Sequence, residues 1–205
     1  MNKKYPIYYY DLIQQSPEWF DLHDSHLTGS KATAIGNAGK GLETACKDLV
    51  IKSLSTKRSD YTNKDFQRGN ELEPIARHIY ELKTGNKVEQ VGFIEYDEFI
   101  GCSPDGLIGE DGGLEIKSPD DKEYFEYLLY GREAIKSEYH WQIQMNLLLS
   151  GRKYWMLAVY NPNFSNSMQI YRIEPDKEKH EALLNGFEVG KKLILEIKEK
   201  LKKYE

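Results

Sequence analysis

Residues 101–119 read GCSPDGLIGEDGGLEIKSP, and the fold turns on how this stretch is paired. Leu107 and Ile108 precede a glycine- and acid-rich run, Gly109 to Gly113, and Leu114 and Ile116 follow it. Apolar residues on both sides of such a run mark two strands joined as a hairpin. Side chains alternate faces along a strand. Glu115 and Lys117 therefore point one way, and Leu114 and Ile116 point the other way, into a core. Asp105, on the neighbouring strand, is expected to meet Glu115 across the pair. Two carboxylates and a lysine at a sheet end suit a hard cation and the polarisation of a water. A plain acidic hairpin with Glu115–Lys117 as a same-face ion pair is the bland alternative. A calcium loop at Glu110-Asp111-Gly112 is a third reading, and it lacks the EF-hand spacing.

Composition narrows the class. The chain has 205 residues, 30% charged and 40% hydrophobic, as a soluble globular protein does. Its net charge of −5 argues against passive, non-specific coating of DNA. It leaves room for an enzyme whose bound cation and local lysines offset the field. Cys46 and Cys102 are too few and too isolated for a zinc cluster or a disulfide framework. The opening residues, MNKKYPIYYYD, hold no apolar run of signal-peptide length, and no stretch reaches the ~20 apolar residues of a membrane helix. The expectation is a soluble protein of the cytoplasm.

Around the hairpin the chain alternates helices and strands. Residues 1–15 carry Tyr5, Tyr8, Tyr9 and Tyr10 and are expected to form an N-terminal arm packed on the body, with base stacking as the functional alternative. Ser16-Pro17-Glu18-Trp19 starts a helix to about His23, with a capping serine and proline at the first helical position. Leu27-Thr28-Gly29-Ser30 is a turn into a second short helix, Ser30 to Asn37. Ser30 either caps that helix or helps its amides bind phosphate. Gly36 to Gly41, GNAGKG, lacks phosphate-loop spacing and reads as an inter-helix loop.

A helix over Leu42–Leu54 places Leu42, Cys46, Leu49, Val50 and Ile51 on one apolar side. After a polar loop at Lys57–Asn63, Thr62 to Thr84 is mostly helical, with Ile75, Ile79 and Leu82 as the expected buried stripe. Pro74 marks a kink or a restart near Asn70. Glu71 faces solvent, and Glu73 stands four residues before Arg77, the spacing of an ion pair. Lys87–Tyr96 is predicted as a strand that Phe99–Ser103 continues. Helices follow at Asp120–Tyr130 and Arg132–Ser150, the second carrying Gln142 and Gln144. Strands follow at Tyr154–Tyr160 and Ser167–Ile173. Residues 176–205 form an amphipathic helix with a stripe of Phe187, Leu193, Ile194, Ile197 and Leu201. It is expected to cover the body, with a subunit contact as the alternative. The order of elements suggests a mixed α/β fold, and residues 1–205 are expected to form a single domain.

Ser103-Pro104-Asp105-Gly106 with Leu114-Glu115-Ile116-Lys117-Ser118-Pro119 resembles the PD-(D/E)xK nuclease signature. More narrowly, it resembles the phage lambda exonuclease and YqaJ-type viral recombinase nuclease family. Three further segments fit. Arg68-Gly69-Asn70-Glu71-Leu72-Glu73 with Ala76-Arg77 and Tyr80-Glu81 resembles the family's acidic helix. Glu133 to Ser137, Tyr139 and Gln142-Ile143-Gln144 resemble its glutamine helix. Trp19 with Leu27-Thr28-Gly29-Ser30 resembles its N-terminal motif.

The resemblance implies a restriction-endonuclease-like α/β core, a central mixed β-sheet flanked by helices. It implies a Mg²⁺ site, with Mn²⁺ as a substitute, formed by Asp105, Glu115, the Ile116 carbonyl and Glu73. Lys117 would serve the attacking water, Gln142 would support the site, and Ser30 would hold the terminal 5′-phosphate. His23 stands where the family usually carries a phosphate-gripping arginine. A neutral imidazole holds phosphate less well than a guanidinium fork, and His26 and Lys31 are possible substitutes. The activity implied is 5′→3′ digestion of duplex DNA ends to mononucleotides, leaving 3′ overhangs for recombination. The partners implied are double-stranded DNA ends, a phage single-strand annealing protein, and two further copies in a ring trimer within a bacterial host cell. A restriction-like or repair endonuclease with the same core, and a non-catalytic DNA-end binder, are the alternatives.

Overall fold

The computed structural model describes residues 5–55 and 64–204. In chain order, β1 (Ile7–Tyr9) leads to α1 (Pro17–Asp24), α2 (Ala32–Asn37), α3 (Lys40–Leu54) and α4 (Lys64–Thr84). Five short strands follow: β2 (Val88–Glu89), β3 (Phe93–Glu95), β4 (Gly101–Cys102), β5 (Gly106–Ile108) and β6 (Gly112–Lys117). The chain then runs through α5 (Asp121–Tyr130), α6 (Ser137–Ser150), β7 (Tyr154–Tyr160), β8 (Met168–Ile173) and α7 (Lys177–Leu201). The polar loop expected at Lys57–Asn63, the first four residues of the arm, and the start of the expected helix at Thr62 lie outside the described residues.

The hairpin forms as its glycines and alternation dictate. β5 and β6 are antiparallel, with Leu107 opposite Gly113 and Ile108 opposite Gly112. β6 then pairs in parallel with β7, a connection that needs a crossover, and α5 and α6 supply it. The central sheet runs β2-β5-β6-β7-β8 and is mixed, since its other pairings are antiparallel. Leu114 and Ile116 enter one core with Ala76 and Tyr80 of α4. The other face of the sheet, through Trp155, Leu157 and Val159, joins a larger core with α2, α3, α6 and α7. Glu115 faces this second side, at the core's edge.

Several expectations change. Lys87–Tyr96 is not one strand. It breaks between β2, in the central sheet, and β3, which pairs with β1 and β4 in a second sheet of three strands. Gly92 sits at the break, because a Cβ there would lie 2.0 Å from the Leu12 carbonyl oxygen of the crossing N-terminal arm. That arm is ordered as expected, through β1. On α4, which runs unbroken through Pro74, Ile75 and Leu82 are exposed while Ala76 and Tyr80 are fully buried. Ile79 keeps its expected place, partly buried against the same core with Leu72, so the buried face is shifted round the helix from the expected stripe rather than opposite to it. Ile51 is likewise exposed on α3.

The α7 stripe covers the body. Phe187 and Ile194 join the core of Leu27, Ile35, Leu42 and Cys46, so this stripe is not a free subunit contact. No helix among the described residues is long and apolar enough to cross a membrane.

Candidate active site

Asp105 follows β4 by way of Ser103-Pro104, and the turn is pinned from outside. Trp19 Nε1 donates to the Gly92 carbonyl (2.9 Å) and to Ser103 Oγ (3.1 Å). Gln14 Nε2 donates to the Pro104 carbonyl at 3.0 Å. So held, Asp105 Oδ2 accepts from the Ile116 amide of β6 at 2.6 Å. β5 pairs only with the first half of β6, so this side of Ile116 has no strand neighbour and Asp105 takes its place. A strand residue carries its N–H and C=O on the same edge. The Ile116 carbonyl therefore lies on the edge where Asp105 stands.

Glu115 is 1% exposed. Its Oε1 accepts from Lys117 Nζ at 2.7 Å, as strand alternation requires, and its Oε2 accepts from Asn146 Nδ2 at 3.2 Å. Lys117 Nζ donates also to Gln142 Oε1 at 3.0 Å and lies 5.0 Å from the centre of the Tyr139 ring. Glu73 reaches the same cleft from α4, in an ion pair with Arg77, whose Nε donates to the Asp105 carbonyl at 3.3 Å. The structure thus brings together Asp105, Glu115, Ile116, Lys117, Glu73 and Gln142.

The electrostatics are those of excess negative charge. Burial, then the charges of Glu115 and Glu73, push the Asp105 carboxyl well above its usual range. Burial also raises Glu73, against the pull of Arg77. For Lys117, burial favours the neutral amine, but Glu115 and Asp105 outweigh it and hold the ammonium form. Among the described residues, no three His, Cys, Asp or Glu side chains converge as a ready-made cage. Glu73 is drawn toward Arg77, and Glu115 toward Lys117. Yet three carboxylates share two cationic contacts, and burial disfavours the charge on Asp105. A divalent cation that keeps several of its waters needs only one or two carboxylates, and this donor set fits it.

The cleft, about 500 Å³, is lined by these groups with Arg68, Lys136 and Tyr139. A smaller cleft of about 170 Å³ shares Asn70, Glu73, Asp105 and Gln142 with it and continues to Trp19, His23, Thr28, Gly29 and Ser30. Ser30 is exposed and does not cap a helix. It sits inside a 3₁₀ turn, Gly29–Lys31, and α2 begins after it without a side-chain cap. His23 is not a plain surface residue either. Its ring stacks on Trp19 at 4.4 Å, and its Nε2 lies 3.3 Å from Thr28 Oγ1. Burial lowers its pKa, so the ring is neutral at pH 7 and above. His26, a suggested substitute, is 8% exposed and turned toward Glu95. Sequence reasoning missed Asn146. The signal was its position four residues after Gln142, on the same face of a helix.

A YqaJ-like viral recombinase domain model matches residues 18–153. Among solved structures, the chain is similar to LHK-Exo, an alkaline exonuclease from Laribacter hongkongensis. Identity is 28%, with a TM-score of 0.79, covering 93% of this chain and 100% of that one. LHK-Exo in complex with dAMP gives 29% identity and a TM-score of 0.81, covering 92% and 98%. A phage related exonuclease from Haemophilus somnus 129PT, at 15% identity, shares the fold with a TM-score of 0.70 over 89% of this chain and 99% of that one. No curated protein matches significantly.

Proposed function

The chain belongs to the YqaJ-like viral recombinase domain family, and from that membership we propose that it is a Mg²⁺-dependent 5′→3′ double-strand DNA exonuclease. It degrades the 5′-ended strand to mononucleotides and leaves 3′ overhangs for recombination by strand annealing. The observation that carries this is the meeting of Asp105, Glu115, Lys117 and Glu73 in a cleft that continues to the Thr28–Ser30 loop. The complex of the similar alkaline exonuclease with dAMP, a nucleoside monophosphate, supports mononucleotides as the product class.

Asp105, Glu115, the Ile116 carbonyl and Glu73 are the groups to hold Mg²⁺ or Mn²⁺. When bound, the cation supplies Lewis-acid polarisation of the phosphate and a more acidic water. Lys117, held as an ammonium, donates to the scissile phosphate and gains strength as negative charge grows there. Gln142 and the Tyr139 ring aim that ammonium. Water attacks phosphorus, the bond to the 3′-oxygen breaks, and the proton from water ends on the departing side. The Thr28–Ser30 loop receives the strand end, with the Ser30 hydroxyl toward its phosphate.

The proposal extends to a ring-shaped homotrimer around the duplex that works with a phage single-strand annealing protein in the bacterial cytoplasm. Exposed Phe125, Leu129 and Tyr130 on α5 support a surface open to association.

Linear and covalently closed circular duplexes, incubated with the protein and Mg²⁺, test the activity. Linear DNA shortens from its ends and the circle survives. Cutting of the circle would replace the reading with an endonuclease of the same core. End binding without nucleotide release would leave a non-catalytic binder.

A further inference from the structure

Helix α6 sends two amide side chains to the site, four residues apart, and turns them opposite ways. Gln142 offers its oxygen to Lys117, and Asn146 offers its NH₂ to Glu115. A carboxylate accepts and an ammonium donates, so neither amide satisfies its partner if flipped. The other end of Asn146 lies beside the Gly29 loop. A Cβ added on Gly29 would lie 3.4 Å from Asn146 Oδ1 and 3.0 Å from Gln142 Cγ, so a side chain at this loop position would press on both residues. Asn146 is 1% exposed and has no room to swing away. With Lys117 on one oxygen of Glu115 and Asn146 on the other, the plane of the carboxylate is locked.

We propose that Asn146 is a positioning residue that fixes Glu115 for the cation, an inference that rests on the reading of Glu115 as a ligand. Partners behind a ligand set its orientation, and their loss typically costs 10–100-fold in metal affinity or activity. Gln142 acts on the lysine. Asn146 acts on the carboxylate and sits under the loop that receives the DNA end, so the two halves of the cleft share one anchor.

The test is Mn²⁺ binding to the DNA-free protein, followed by the electron paramagnetic resonance of free Mn²⁺. Asn146→Leu, close in volume but without a donor, raises the dissociation constant about tenfold or more. Asn146→Ala does the same if the leucine variant fails to fold. Asn146→Gln, which restores an NH₂ donor, binds more tightly than either. A folded leucine or alanine variant with wild-type Mn²⁺ affinity overturns the inference. Glu115→Gln separates the two claims. If it abolishes binding while the Asn146 variants bind normally, only the Asn146 role falls. If it leaves binding intact, the ligand assignment falls with it.

Discussion

The two ends of the cleft are built by different means. At the sheet end, each charged group has a fixed partner: Asp105 the Ile116 amide, Glu115 Lys117 and Asn146, Glu73 Arg77. Charge is buried there, and burial pushes the Asp105 and Glu73 carboxyls up. At the loop end, Ser30 is exposed and His23 is a neutral ring stacked on Trp19. The sheet end holds an excess of buried negative charge, which a bound cation would relieve. The loop end supplies shape, through the backbone of Thr28–Ser30 resting on α6. Chemistry is expected to be sensitive to single atoms at the first end and to spacing at the second.

The largest effect is predicted at Asp105. Asp105→Asn keeps an acceptor for the Ile116 amide and removes the charge, so activity falls by about a thousandfold or more. The same change stabilises the metal-free protein. The folded-state pKa of Asp105 is raised, so its contribution to stability is present below the unfolded value of about 3.9 and is lost as pH rises through the folded value. Asn escapes that loss. In EDTA at pH 8 the variant melts higher than the wild type, by about 2–4 °C per kcal/mol, and the gain shrinks as the buffer approaches pH 4. Equal melting at both pH values would remove the idea of stored charge.

A middling effect is predicted at the seam. Gly29→Val presses a side chain onto Gln142 and Asn146 and lifts the loop from α6. Misplacement of about 1 Å costs on the order of a hundredfold, so turnover falls by 10–100-fold while the circular dichroism spectrum stays native. Unchanged turnover would mean that the two ends work independently.

The smallest effect is predicted at His23, read as the ratio of rates on 5′-phosphorylated and 5′-hydroxyl duplexes. His23→Gln changes that ratio by less than about twofold, because the imidazole is neutral at pH 8. His23→Arg raises it by about tenfold, since a guanidinium adds a charge-assisted bidentate contact. A collapse of the ratio in His23→Gln would make the loop end an electrostatic site after all.

The same contrast decides what could be read in the sequence. Strand alternation and a glycine turn set Asp105, Glu115 and Lys117, because a hairpin has one register that buries Leu114 and Ile116. Helical spacing set Glu73 beside Arg77. The stripe on α4 misled because apolar content did not choose the buried face. Glu73 and Arg77 must reach the cleft, and Ala76 and Tyr80 share their side of the helix, so Ile75 and Leu82 are left outside.

Gln142 and Gln144 look alike in sequence and diverge in the fold. Gln142 meets Lys117, whereas Gln144 bonds the Glu174 carbonyl and the Asp176 amide ahead of α7. Helical positions two residues apart do not share a face, so only the packing of α6 assigns their jobs. The loop end was least legible, since backbone resting on a neighbouring helix leaves no pattern of residue types.

The most direct measurement uses one blunt duplex with distinguishable labels on the 5′ and 3′ termini of the same strand, digested with Mg²⁺ and sampled in time. The 5′ label leaves first, as a mononucleotide, and the 3′ label stays on the shortening strand until late. EDTA or Asp105→Asn stops release of both. Earlier loss of the 3′ label, internal fragments, or release that persists in EDTA would contradict the metal-dependent 5′→3′ account.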